Sequence, residues 1–389
     1  MISTTLLVMI YVSFVSLGLP DAMLGSAWPL MSGDLAAPLW GAGLVQMVVS
    51  CGTIVSSLNS ARLIRRFGTG RLTALSVALT ALALLGFSLA PGYGWLVLLA
   101  VPLGLGAGAV DAALNNYVAL HCQARHMSWL HCSWGVGTII GPVILSALIT
   151  RTGGSWRGGY VVVGVLQAAL SAVLFATLPL WRRSGTQEEE RGARVLSIRQ
   201  VLALPGAKAG LATFLCYCAL ESTLMLWAPT FMVEARGISK TQAVSYGALV
   251  CVGITAGRAV SGFMTMRFRP RQMVVIGQAV LLAGCVLLLV PVNAVMLAGV
   301  VVCGLGCAPI YPNIIQDTPV NYGAENSQAA VGVQMAAAYL GSTFMPTVFG
   351  ALASRVGYGV LPGFALAVTA AMAVLFAVQK RQLARRDRP

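Results

Sequence analysis

Hydrophobic residues run along this chain in blocks of twenty or so rather than in the alternation of a strand, and about twenty residues is what an α-helix needs to cross a bilayer. Blocks at 4–31, 39–58 and 72–89 come first, and Pro91-Gly92 turns the chain into a fourth. A polar hinge at 121–128 leads to a fifth, and a sixth ends at Trp181. The pattern resumes at 209–233, 241–266, 272–291, 294–316, 327–352 and 359–378. Between the sets, 182–208 contains RRSGTQEEERGAR, has no apolar period and reads as an exposed cytoplasmic linker with an amphipathic piece at 195–204. The pattern predicts an all-α polytopic membrane protein of twelve transmembrane helices: a six-helix bundle at 1–181, the linker, and a second bundle at 209–389 with a basic cytoplasmic tail. The first apolar run lacks a basic region before it and continues past Pro20 to Trp28, so it reads as a span rather than a cleaved signal peptide.

Composition sharpens this. With 58% hydrophobic and 9% charged residues, the chain has too little polar surface for a water-soluble domain of 389 residues. The net charge of +14 does not point to nucleic acid, because the basic residues sit in loops between spans. Assigning loops to alternate sides puts 19 of the 25 Lys and Arg residues on one side and five on the other, with Arg258 inside a span. The positive-inside rule then places both termini in the cytoplasm, with a bacterial plasma (inner) membrane as the expected location. The expected partners are the lipid bilayer and a small-molecule substrate, and the expected state is a monomer. The nine cysteines lie in or beside apolar segments as small hydrophobes, which implies no disulfide framework.

The halves echo each other. At an offset of 200, Gly104-Leu-Gly106 falls on Gly304-Leu-Gly306, Asp21 on Glu221 and Pro29 on Pro229; at 201, Gly52 meets Gly253; at 204, Pro142 meets Pro346 and Arg151 meets Arg355. Matches in fixed order from the first span to the eleventh predict two pseudo-symmetric bundles with a midplane site, the plan of alternating-access carriers.

Three acids interrupt the spans: Asp21, Asp111 and Glu221. A carboxylate in a hydrocarbon layer is costly and marks a functional site by default. Asn115 stands one turn beyond Asp111 on the same helix face, with Gly104 and Gly108 on that stripe. Proton coupling needs a group that exchanges a proton near working pH, a property burial confers on carboxylates. Asp111, Asp21 and Glu221 are the candidates, with His131 either a relay or a neutral hydrogen-bonding side chain. Glu221 is alternatively the anion for Arg258, forming a structural ion pair. For a polar solute, Asn115, Asn116, Gln334 and Tyr311 lead, Tyr311 because it stands opposite Asp111 in the repeat. Trp28, Gln46, Trp134, Tyr217, Trp227, Asn313 and Tyr339 follow, although Trp and Tyr also belt membrane interfaces. His121, Cys122, His126, His131 and Cys132 match no compact zinc spacing, no phosphate loop or hydrolase nucleophile occurs, and neither metal, cofactor nor enzyme activity is implied. The expected coupling ion is a proton.

Over its whole length the chain resembles a major facilitator superfamily transporter. ARLIRRFGTGR is similar to the signature between the second and third helices, with Arg66, Phe67 and Gly68 in place and Arg65 where an aspartate usually stands. Asp111-Ala-Ala-Leu-Asn115 after Gly104-Leu-Gly106, then Leu130-His131 and Gly137, resembles the fucose-permease-like sugar:proton symporters, as does GLGCAPIYPN at Gly304 to Asn313. That resemblance implies proton-coupled symport of a small polar solute, a sugar or polyol, with acids at the positions of Asp111 and Asp21 coupling protonation to transport. Gly137-Thr-Ile-Ile-Gly141-Pro142 resembles in part the antiporter signature of the fifth helix, so the alternative is a proton-driven exporter of drugs or metabolites.

Overall fold

The computed structural model describes residues 3–38, 40–151, 155–183 and 194–386. Twelve helices among them are long and apolar enough to cross a bilayer: α1 (Thr4–Asp34), α2 (Gly41–Leu58), α3 (Thr69–Leu89), α4 (Tyr93–His121), α5 (Ala124–Arg151), α6 (Arg157–Ala176), α7 (Ala207–Arg236), α8 (Tyr246–Met264), α9 (Pro270–Leu289), α10 (Asn293–Gln316), α11 (Ala324–Val356) and α12 (Tyr358–Arg385). Leu82, Val143 and Leu98 expose 66%, 61% and 59% of their surface, as suits side chains facing hydrocarbon rather than water. The protein is an all-α, multi-pass integral membrane protein. The hinge expected at 121–128 contracts to 122–123, because the residues from Ala124 already turn as α5. Of the expected linker, 184–193 lie outside the described residues. Its amphipathic piece narrows to a helix at Ile198–Ala203, opened by a capping box in which the Ser197 hydroxyl accepts from the Gln200 N–H and the Gln200 side chain accepts from the Ser197 N–H.

The chain forms two compact units. One comprises Met1–Cys122, Ser133–Val195 and Ala324–Ala336, the other Gln123–Cys132, Leu196–Gly323 and Ala337–Pro389. The first turns of α5 and α11 therefore each belong to the unit built mainly from the other half of the sequence.

Within each unit the same packing recurs. In the first, α4 lies on α2 and α3, and α3 lies on α6; in the second, α10 lies on α8 and α9, and α9 on α12. Glycines set these seams. A Cβ on Gly104 would stand 2.1 Å from the Val49 carbonyl oxygen, and one on Gly304 2.4 Å from that of Val250. No side chain fits at such distances, so the helices touch backbone to backbone. The α1–α5 crossing repeats as α7–α11: a Cβ on Gly137 would meet the Val15 carbonyl at 2.2 Å, and one on Gly341 the Leu215 carbonyl at 2.6 Å.

Two spans are broken. α1 consists of Thr4–Asp21 and Met23–Asp34, and α10 of Asn293–Cys307 and Ile310–Gln316. Pro309 stands in the α10 break itself, where it removes a helical N–H and crowds the preceding turn, whereas Pro20 lies within the first piece of α1, two residues before the break at Ala22. Between α2 and α3 a short helix, Ser60–Phe67, ends at Gly68, whose φ of +77° lies in the region a side chain disfavours. That geometry accounts for the glycine of the Arg66-Phe67-Gly68 signature.

Candidate functional site

Asp21 is the last residue of the first piece of α1, at mid-span and exposed. Its Oδ2 accepts a hydrogen bond from Trp134 Nε1 at 2.8 Å. The α1–α5 crossing brings Trp134 there: a Cβ on Gly18 would lie 2.2 Å from the Trp134 carbonyl, and one on Gly141 2.0 Å from the Leu19 carbonyl. Gly137 and Gly141 thus pack α5 onto α1 and hold the indole over the acid. Among the described residues, no Lys, Arg or His forms an ion pair with Asp21.

Asp21 lines a cavity of about 40 Å³ inside the first unit, walled by Leu17, Leu24, Val49, Leu84, Phe87 and Leu103, with Gln46, Thr80 and Gln167 as its larger neutral polar groups. Gln46 is exposed there. Asp111 is not on this wall; its α4 neighbours Ala107 and Val110 are. It is buried, and its Oδ1 accepts from Asn115 Nδ2 at 2.8 Å. Asp111 nonetheless lies close enough for its charge to act on Asp21. Asn116 Oδ1 accepts from the Ser327 hydroxyl, and Gln328 Nε2 donates to the Ser60 hydroxyl at 3.0 Å, which ties the first turns of α11 to this unit. Gln334 is buried in the same unit. Trp28 packs edge-on against Tyr93 at the edge of the apolar core.

In the second unit, Arg258 Nη2 donates to Glu221 Oε1 at 3.0 Å, with Arg258 only 3% exposed. A base that deep requires an anion beside it. Aromatic rings surround the pair's neighbourhood: Tyr311, just past the break in α10, meets His131 at 4.6 Å, Phe214 at 4.7 Å and Tyr217 at 6.1 Å. Asn313 Nδ2 donates to the Pro309 carbonyl at 2.7 Å and so braces that break. Trp227 Nε1 donates to the Pro346 carbonyl at 2.8 Å, with its ring against Phe349 and Tyr358, while Tyr339 is half-buried on α11. The expected residues thus divide between a carboxylate-lined cavity in one unit and an ion pair among aromatic rings in the other.

Sequence reasoning passed over Thr80 and Gln167. The signal existed: Gln167 is an amide in an apolar span, the feature that singled out Asn115 and Gln334.

A family model described as Major Facilitator Superfamily matches residues 10–264 and 234–389. The chain belongs to the Major Facilitator Superfamily. Its members are transporters, and this chain is a transporter rather than an enzyme. It is 28% identical over 307 residues to the 4-hydroxybenzoate transporter PcaK of Pseudomonas putida, the match covering 69% of the chain and 66% of that relative. It is 27% identical over 317 residues to the 3-(3-hydroxy-phenyl)propionate transporter of Escherichia coli, covering 77% and 74%. The solved structure of the Escherichia coli fucose:proton symporter FucP has a TM-score of 0.76 over 97% of the chain and 98% of FucP, at 15% identity, a likeness of fold. Six of the twelve span-length helices come from each half of the sequence, and the first turns of α5 and α11 group with the unit built mainly from the other half.

Proposed function

We propose that this transporter is a proton-coupled symporter of a small polar solute, working by alternating access, with Asp21 as the group that takes up and releases the proton. The observation that carries the reading is Asp21 itself: an exposed carboxylate at the break in α1, mid-span, held by an indole N–H and, among the described residues, by no cation. An acid fixed in an ion pair would keep its charge, whereas this one can change protonation state as its surroundings change. Discontinuous helices are where carriers place coupling and substrate groups. Asp111 acts on Asp21 through its charge, Glu221 stays with Arg258, and His131 reads the solute side against Tyr311. Orientation follows the basic loops, with both termini cytoplasmic in a bacterial inner membrane.

A sugar or polyol remains the first solute class, on the helix 4–5 resemblance and the amides Asn115, Gln46 and Gln334. A hydroxylated aromatic acid is the second reading, and two observations favour it: the buried Arg258 among Phe214, Tyr217 and Tyr311, and relatives at 27–28% identity that are named as transporters of such acids. Export is less well supported, because the glycines of the antiporter-like stretch are occupied in packing α5 on α1. The test is solute addition to proteoliposomes with external pH recorded. Symport alkalinises the medium on adding either fucose or 4-hydroxybenzoate; acidification would identify an antiporter, and silence with a broad panel of both classes would reject the reading.

A further inference from the structure

Neither α3 nor α6 supplies a residue to the solute site proposed above, yet both direct polar side chains at the cavity behind Asp21. The Thr80 hydroxyl donates to Gln167 Oε1 at 2.6 Å, and Gln167 Nε2 donates to the Ser16 carbonyl at 2.8 Å. Both side chains are buried, Thr80 at 5% and Gln167 at 2%. An amide has two N–H groups and two acceptor lone pairs, so these bonds use half of what Gln167 offers and leave the rest for the cavity it lines. Along α1 the lining runs from Leu24 past Asp21 to Ser13, about 16 Å at the helical rise.

Size decides what can occupy this space. At about 40 Å³ it has room for about three waters at the 10–15 Å³ each requires, and falls well short of the roughly 150 Å³ of a cavity that accepts benzene. Its polar lining supplies the partners such waters need: Asp21, Gln46, Thr80, Gln167 and the α1 serines Ser13 and Ser16. Among the described residues, none that lines it is basic and would repel a hydrated proton. The titratable groups that face Asp21 are Asp111 from α4, acting through its charge, and Tyr160 from α6 in the same lining; α5 presents the Trp134 indole, and α2 and α3 present only the neutral Gln46 and Thr80.

We propose that this cavity is a proton-loading chamber, a thread of water between α1, α3 and α6 that delivers protons to Asp21 from inside the amino-terminal unit, with Gln167 and Thr80 as its positioning residues. Asp21 Oδ2 is engaged by Trp134, so the proton arrives at Oδ1: a hydronium gives up one proton, the carboxylate becomes a neutral acid, and a water remains in the thread. Release runs the same steps backward. The chamber rests on the reading that Asp21 exchanges a proton, and the experiment separates the two.

The probe is the proton alone, with the full-length protein in liposomes. Infrared difference spectra after a pH jump follow the carboxyl C=O band that disappears in Asp21→Asn. In Gln167→Met and in Thr80→Val the band should reach the same amplitude as in wild type but rise more slowly, by about tenfold or more. An unchanged rate in both variants overturns the chamber while leaving Asp21 as the exchanging acid. A wild-type spectrum without an Asp21 band overturns both. Should the variants fail to fold, radiolytic hydroxyl labelling of wild type decides: Phe87 and Tyr160, each 1% exposed, should be labelled by neighbouring water, unlike Phe349 at 0% in the other unit. Equal absence of label at all three overturns the proposal.

Discussion

Gly104→Ala tests the backbone contact on which the first unit is built. The added Cβ would sit 2.1 Å from the Val49 carbonyl oxygen and 2.9 Å from its carbon, and the obstacle is helix backbone rather than a side chain that can rotate away. α2 and α4 must separate by an ångström or more. The same seam carries hydrogen bonds from Thr53 Oγ1 to the Gly104 carbonyl at 3.2 Å and from Ser57 Oγ to the Gly108 carbonyl at 3.1 Å. Overpacking of this kind costs about 1–3 kcal/mol, and each weakened hydrogen bond about 1 kcal/mol. A loss of about 3 kcal/mol would lower the melting temperature by about 6–12 °C in a unit of this size. Gly304→Ala, with its Cβ 2.4 Å from the Val250 carbonyl, should behave alike because it occupies the same place in the repeat. Gly25→Ala is the control: the site is exposed and nothing lies within 4 Å of the new Cβ, so the helix should gain about 0.5–1 kcal/mol. Buried thiols such as Cys285, Cys303 and Cys307 make a thiol-reactive dye a direct reporter of unfolding in detergent. If Gly104→Ala and Gly304→Ala melt within a degree or two of wild type, the close-contact reasoning is wrong.

Two other variants probe charge. Glu221→Gln removes the carboxylate facing a guanidinium that is 3% exposed and should destabilise by about 3–5 kcal/mol, whereas Glu221→Gln with Arg258→Met should recover most of that; melts of the four members of the cycle check it. Beyond α10, burial pushes the Asp317 carboxyl up to about 6 even though Arg271 Nε lies 3.3 Å from its Oδ2. The unfolded chain ionises this group near 4 and the folded one near 6, so its contribution to stability is full below pH 4 and is lost as pH rises through 6. The loss amounts to about 3 kcal/mol. Asp317→Asn should flatten that slope in melts recorded from pH 4 to 7, and a slope equal to wild type would contradict the assignment.

The spans and their duplication were legible because hydrophobic blocks of bilayer length and paired glycines are local signals, and the seams at Gly104 and Gly304 carry them into the packing. The meeting of Glu221 and Arg258 followed from the cost of a lone base in a span. Trp134 on Asp21 was not legible as a contact, since 113 residues separate them and only the α1–α5 crossing joins them. The glycines of that crossing, Gly137 and Gly141, instead resembled an antiporter signature. The bond from Trp227 to the backbone at Pro346 was likewise not legible, since 119 residues separate the two. Thr80 and Gln167 were missed because their hydrogen bond joins residues 87 apart and exists only once α3 and α6 pack.

The most direct test of the account is Asp21→Asn in proteoliposomes, using whichever solute alkalinises the medium with wild type. Uptake against a concentration gradient, driven by an acidic exterior, should be abolished while exchange of internal for external solute continues. Concentrative uptake at the wild-type level would contradict the assignment of Asp21 as the group that carries the proton.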